Sequence, residues 1–171
     1  METEKRRSEL LSLLHETGNR ITGTDLAHKF GVSRQVIVQD IAILRAQGEH
    51  VLATPGGYLI PQGQRSDTVQ AVLACIHTRE QIAQELGIIV DLGARVLDVI
   101  VEHPVYGEMR GNLMIASRRD LAMFVERLSQ TKANPLSALT GGVHLHTIEA
   151  PNQAAVEEIT AALCQAGFLV S

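Results

Sequence analysis

Aromatic residues are scarce in this chain, at 3%, so its cores must be built from Leu, Ile, Val and Ala. Cysteine is also scarce. Cys75 and Cys164 sit in apolar surroundings without a Cys-x-x-Cys spacing, which argues against a disulfide framework and reads as two buried free thiols in a reducing cytoplasm. Long hydrophobic runs are missing too. The longest, such as Val96-Leu97-Asp98-Val99-Ile100-Val101, is broken by charge and falls far short of the ~20 residues that span a bilayer. The N-terminus, Met1 to Arg7, has no apolar h-region, so no signal peptide is expected. No internal repeat or low-complexity tract is present. Nor is there a general excess of positive charge: the net charge is −4. Nucleic-acid binding would therefore need a local patch rather than a basic field.

What is present is an ordinary globular composition, 45% hydrophobic and 20% charged over 171 residues. That length holds one large domain or two small ones. The segment Ile60-Pro61-Gln62-Gly63-Gln64-Arg65-Ser66 reads as a linker, polar and Pro/Gly-bearing between two apolar stretches. It divides the chain into domains at 1–62 and 63–171. The first is neutral overall, and the second carries the whole net negative charge.

In the first domain, residues 4–16 place Leu10, Leu13 and Leu14 on one helical stripe. A short helix follows over 24–30, with Thr24 as candidate N-cap, and a third over 33–47, capped by Ser33. Gly31-Val32-Ser33 supplies the sharp turn between them: Gly31 takes the left-handed conformation and Val32 tucks into the junction. Residues 50–54 and 58–60 read as strands about the turn Pro55-Gly56-Gly57. The pattern is a winged helix-turn-helix. With Ile37, Ile41 and Leu44 facing the core, the outer face of the third helix carries Arg34, Gln35, Val38 and Gln39, with Ser33 at its start. Arg reads guanine, Gln reads adenine, and Val meets a thymine methyl in the major groove of double-stranded DNA. Lys5, Arg6, Arg7, Arg20 and Arg45 are candidate phosphate contacts. A winged helix used only for protein contacts is the alternative. A solvated face of that kind favours Glu and Lys, and this one has only Asp40, placed off to the side. The wing tip has no basic residue, so a modest contribution to DNA binding is expected from it.

In the second domain the predicted order is strand 69–76, helix 78–86, strand 95–101, strand 110–115, helix 118–129, strand 143–148 and helix 153–166. Helices segregated on a mostly antiparallel sheet make an α+β sandwich. His15, His28 and His50 fall on polar positions of the first domain; His77, His103, His144 and His146 all fall in the second. His144 and His146 share one face of a strand, with Leu145 expected toward the core. His77 ends a strand and Glu85 lies on the next helix. Three imidazoles and a carboxylate suit Zn²⁺ or Ni²⁺ if they converge. Spacing alone leaves that open, because strand histidine pairs are often unliganded.

Four strings add a resemblance: Ala74-Cys75-Ile76-His77, Asp98 to Gly107 with its His103-Pro104-Val105-Tyr106-Gly107, Ser117-Arg118-Arg119-Asp120, and Leu139 to Thr147 with its Gly141-Gly142-Val143-His144-Leu145-His146-Thr147. With the helix-turn-helix they cover nearly the whole chain. In them the chain resembles the niacin-responsive transcriptional repressors, whose second domain is called the 3H domain. The resemblance implies a fold like that of the histidine phosphocarrier proteins and a divalent metal, Ni or Zn, held by His77, Glu85, His144 and His146. It also implies a homodimer that represses genes of NAD biosynthesis or niacin uptake with nicotinic acid as co-repressor. His103, Tyr106 and Arg118 are the candidate ligand-binding residues. Each has a plainer alternative: His103 bonding its own turn, Tyr106 packing structurally, and Arg118 in a surface salt bridge. A metal-sensing repressor, with the ion itself as signal, is the second reading. An enzyme with Glu85 as base is a third and lacks a second acid or a nucleophile at an interpretable spacing. The expectation is a cytoplasmic regulator, not an enzyme.

Overall fold

Leucine and isoleucine at helical spacings organise the first part of the chain. In the computed structural model, which describes residues 2–63 and 67–171, α1 (Glu2–Thr17), α2 (Gly23–Phe30) and α3 (Arg34–Ala46) enclose one core. It is made by Leu10, Leu14, Leu26, Ile37, Ile41 and Leu44. Each such side chain contributes about 1.5–3 kcal/mol when fully buried. Of the expected linker, Gln64, Arg65 and Ser66 lie outside the described residues. Two units result, Met1–Gly63 and Gln64–Ser171. No described helix is long and apolar enough to cross a membrane.

The N-cap of α2 is Thr22, not Thr24. Thr22 is extended and its hydroxyl accepts from the Asp25 N–H at 3.0 Å, so the helix begins at Gly23. Gly31 then ends α2 in the left-handed region, and Ser33 caps α3 by accepting from Val36 N–H. The hairpin of β1 (Leu52–Thr54) and β2 (Gly57–Leu59) follows. It starts later than the expected 50–54, and the Val51 carbonyl instead accepts from Arg45 Nε at 2.7 Å. Ile21 bridges to Tyr58 and closes the wing onto the α1–α2 loop. Gly57 is required there. Its φ is +123°, and a Cβ would stand 2.4 Å from the Ile21 carbonyl oxygen.

The second unit is an antiparallel four-stranded sheet in the order β3-β6-β4-β5, with β3 Val69–Ile76, β4 Arg95–His103, β5 Gly107–Ile115 and β6 Val143–Ala150. Helices α4 (Ile82–Asp91), α5 (Arg118–Thr131) and α6 (Gln153–Gln165) contribute Ile82, Leu86, Ile89, Leu121, Val156, Ile159 and Leu163 to its core. The fold class is α+β. The segment expected as one helix over 78–86 is a 3₁₀ turn, Arg79–Gln81, followed by α4, which runs on to Asp91. Cys75 is buried but Cys164 is exposed, against the expectation of two buried thiols. Leu163 takes the inward position on α6, and its neighbour is turned about 100° away.

Candidate functional site

On α3 the residues that seat the helix also fix its free face. Ile37, Ile41 and Leu44 are buried; Arg34, Gln35 and Gln39 are exposed and Val38 is half-buried. No hydrogen bond or ion pair holds Arg34 among the described residues. The other cations are more committed. Arg6 grips Asp40 through Nε at 2.7 Å and Nη2 at 3.3 Å, and Arg7 lies 3.7 Å from the same carboxylate. Asp40 is therefore a buried tie between α1 and α3, not an acid at the edge of the outer face. Lys5 faces Glu9, and Arg45 serves Val51. Arg20 lies against the wing turn: a Cβ on Gly56 would meet its side chain at 3.1 Å. The wing thus gains a cation from the α1–α2 loop, which its own sequence did not disclose.

The second site is built where β3, β6 and α4 meet. Alternation along β6 puts His144, His146 and Ile148 on the helix-covered face, so Leu145 is only half-buried and does not point into that core as expected. Both imidazoles are 3% exposed. Glu85 occupies an inward position of α4, beside Leu86 and one turn from Ile82 and Ile89, and is 1% exposed. A Cβ on Gly142, where φ is +100°, would stand 2.7 Å from the His77 carbonyl oxygen, so the absence of one lets the His77 backbone close on the β6 start.

Glu85 gathers all three rings. His77 Nε2 lies 2.5 Å from Oε2, His144 Nε2 3.1 Å from Oε1, and His146 Nε2 3.3 Å from Oε1. Adjacent rings pack edge to face at 4.7 Å. The opposite nitrogens are all committed. Nδ1 of His77 faces Thr78 O at 2.8 Å, Nδ1 of His144 faces Gly142 O at 2.8 Å, and Nδ1 of His146 faces Asp98 O at 2.7 Å. A carbonyl only accepts, so each Nδ1 carries the hydrogen. The β4 irregularity between Val96 and Ile100 brings Asp98 to this position. The Asp98 carboxylate is itself buried, holding Thr147 N–H and Arg110.

Such a donor set suits a cation. Three neutral rings would aim three Nε2 lone pairs at a carboxylate, which is repulsive. Three imidazoliums would leave the buried cluster with excess positive charge. A divalent cation resolves both problems, because tied Nδ1–H groups and free Nε2 atoms are how metal-ligating histidines are oriented. The residues therefore fit a metal ion. Burial opposes ionisation of Glu85, but the imidazoles of His144, His146 and His77 gathered on it outweigh that and hold the carboxyl well below its usual range. Burial likewise opposes charge on His77, and the Glu85 carboxylate overcomes it and raises that pKa. Sequence reasoning did not connect Cys75 with this cluster. The ligand atoms of Cys75, Glu85 and His144 all lie within 4.8 Å of one another, and all three residues are buried. Its signal was the two-residue step from Cys75 to His77, at the end of one strand.

The other expected site residues lie apart. His103 Nδ1 accepts from Val105 N–H and Tyr106 N–H at 3.1 and 3.2 Å, so it caps the β4–β5 turn. Tyr106 stacks over it at 5.0 Å and is 76% exposed. Arg118 is bonded to Asp91 through Nε and Nη2. A cavity of about 700 Å³ runs from the β4–β5 turn to the start of β6, lined among others by Ile100, Glu102, Pro104, Val143, His144 and Leu145.

The HTH domain pattern matches residues 6–59 and the 3H domain pattern residues 70–171. The chain is similar to the probable transcription repressor NiaR of Thermotoga maritima, 43% identical over 167 residues that cover 98% of this chain and 94% of that protein. It is also 41% identical to the transcription repressor NadR of Bacillus subtilis, covering 96% of this chain and 93% of that one.

Proposed function

This chain belongs to the family of transcription repressors that carry a 3H domain behind an HTH domain, and from that premise we propose that it represses genes of NAD biosynthesis or niacin uptake with nicotinic acid as co-repressor. The family role is regulatory, not enzymatic, and the HTH domain binds DNA. In the proposal, Ser33, Arg34, Gln35, Val38 and Gln39 face the major groove of the operator. A homodimer in the cytoplasm reads inverted half-sites, matching its twofold axis to that of the DNA.

His77, Glu85, His144 and His146 would hold one Zn²⁺ or Ni²⁺ per chain. The observation that carries this reading is the set of three tied Nδ1 atoms with three Nε2 atoms turned on one buried carboxylate. The ion supplies a positive anchor for the carboxylate or ring nitrogen of nicotinate. The cavity lined by Ile100, Val143 and Leu145 opens on the sheet face turned away from the imidazoles, so it would seat the pyridine ring only where the ligand does not bond the ion directly. His103 and Tyr106 stand at the turn beside it, where Tyr106 has a free ring face for the pyridine. Arg118 would have to exchange Asp91 for the ligand carboxylate. Ligand binding then favours the DNA-competent dimer by population shift.

The enclosure of the cluster favours a second reading, in which the ion itself is the signal: Glu85 and the two β6 imidazoles are almost inaccessible. Titrating operator binding separately with metal and with nicotinic acid divides the two. Tightening by nicotinic acid in metal-loaded protein supports the co-repressor. Dependence on metal with indifference to nicotinic acid supports the metal sensor. Indifference to both removes the sensor reading altogether.

A further inference from the structure

We infer that Cys75 supplies a thiolate ligand to the divalent ion held by His77, Glu85, His144 and His146, which makes the site of this chain a mixed nitrogen, oxygen and sulfur centre. The inference deepens the metal reading given above and rests on it.

The placement argues for it. Cys75 lies directly opposite His144 in the β3–β6 register, on the helix-covered face, and is fully buried. Its sulfur, a Glu85 oxygen and a His144 nitrogen fall within 4.8 Å of one another, a spacing that small movements close around a metal. The row it belongs to changes character at this point. Leu73 is apolar core, Cys75 touches both the core and the cluster, and His77 is a cluster member. A cysteine serving only as a small apolar filler would be expected among aliphatic neighbours, whereas this one meets a buried carboxylate and an imidazole. Ligation is balanced without a redox partner: the sulfur–metal bond forms, the S–H bond breaks, the proton leaves to solvent, and the ion keeps its oxidation state. A sulfur donor biases the centre toward Zn²⁺, Co²⁺ and Ni²⁺ and away from Mg²⁺ and Mn²⁺, which prefer an all-oxygen shell.

The test is a cobalt(II) titration of metal-free, full-length protein carrying Cys164→Ser. This removes the exposed thiol and leaves Cys75 as the sole sulfhydryl. The expected result is a near-ultraviolet sulfur-to-cobalt charge-transfer band that saturates together with the visible d–d bands. Adding Cys75→Ala, or Cys75→Ser should the alanine variant not fold, is expected to abolish the charge-transfer band and keep the d–d bands. Visible bands without charge transfer in the Cys75 protein would overturn the thiolate and leave the histidine–carboxylate site standing. A near-ultraviolet band that survives loss of Cys75 would overturn it as well. Absence of visible bands, together with no thermal shift on adding Co²⁺, Ni²⁺ or Zn²⁺, would overturn the metal reading itself.

Discussion

Two adjacent glycines allow the assembly of the histidine cluster to be tested by a single methyl group. Gly141 and Gly142 both have positive φ, at +65° and +100°, but their surroundings differ. A Cβ on Gly141 meets nothing within 4 Å, whereas one on Gly142 stands 2.7 Å from the His77 carbonyl oxygen. Gly141→Ala should therefore cost only the left-handed penalty, about 1 kcal/mol. Gly142→Ala adds a backbone collision that no rotamer can relieve, for a total of about 2–4 kcal/mol. Two cluster contacts should move with it. His77 is pushed away, and the Gly142 carbonyl, which holds His144 Nδ1 at 2.8 Å, is displaced. Loss of such orienting contacts lowers metal affinity by roughly 10–100-fold. Thermal unfolding of the full chain and Zn²⁺ titration by calorimetry would measure the two effects. Equal destabilisation by the two substitutions, or undiminished Zn²⁺ affinity in Gly142→Ala, would refute the idea that this close approach positions the site.

Other outcomes follow from the same geometry. Arg34→Ala should weaken specific operator binding by about 1–3 kcal/mol and relax preference at one base pair, with the thermal midpoint unchanged; a gel-shift series against operator variants checks both. Gly57→Ala, which puts a Cβ 2.4 Å from the Ile21 carbonyl oxygen, should destabilise the first unit by about 2–4 kcal/mol, and urea denaturation reads it directly. The pH dependence should reverse sign with metal. Burial opposes the charge on His77 but Glu85 wins and raises its pKa, so in EDTA the pair's stabilisation is complete below the unfolded-state value and is lost as pH rises through the raised one. With Zn²⁺ the rings must be neutral, so stability should instead fall as pH drops below about 6. Melting curves at pH 5.5 and 8, with and without metal, separate the slopes, and parallel slopes would count against the site.

Which α3 side chains face inward was legible in the sequence because helical periodicity is a local property. Once Ile37, Ile41 and Leu44 are assigned inward, Arg34, Gln35, Val38 and Gln39 have no other side to occupy. The same logic ordered the second unit's strands and helices, since each buries one face. It failed where a partner distant in sequence decides. Asp40 looks like a surface acid until Arg6 and Arg7 arrive from α1. Thr24 is a different, local failure: the sequence offers two threonines at the helix start, and the Thr22 hydroxyl takes the Asp25 N–H.

The histidine cluster marks the division between the two. The sequence by itself determined that His144 and His146 share one face of a strand, because the side-chain period of a strand is two. It could not determine which face. Hydrophobicity argues for Leu145 inward, and that choice is overruled because Glu85 enters from α4 and three backbone carbonyls take up the Nδ1 hydrogens. Burying polar groups costs little only when every one of them finds a partner. Those partners lie on α4, on β4, at the turn after β3 and just before β6, so the tertiary structure had to bring them together to make the imidazole face the buried one and to bring Cys75 within reach of it.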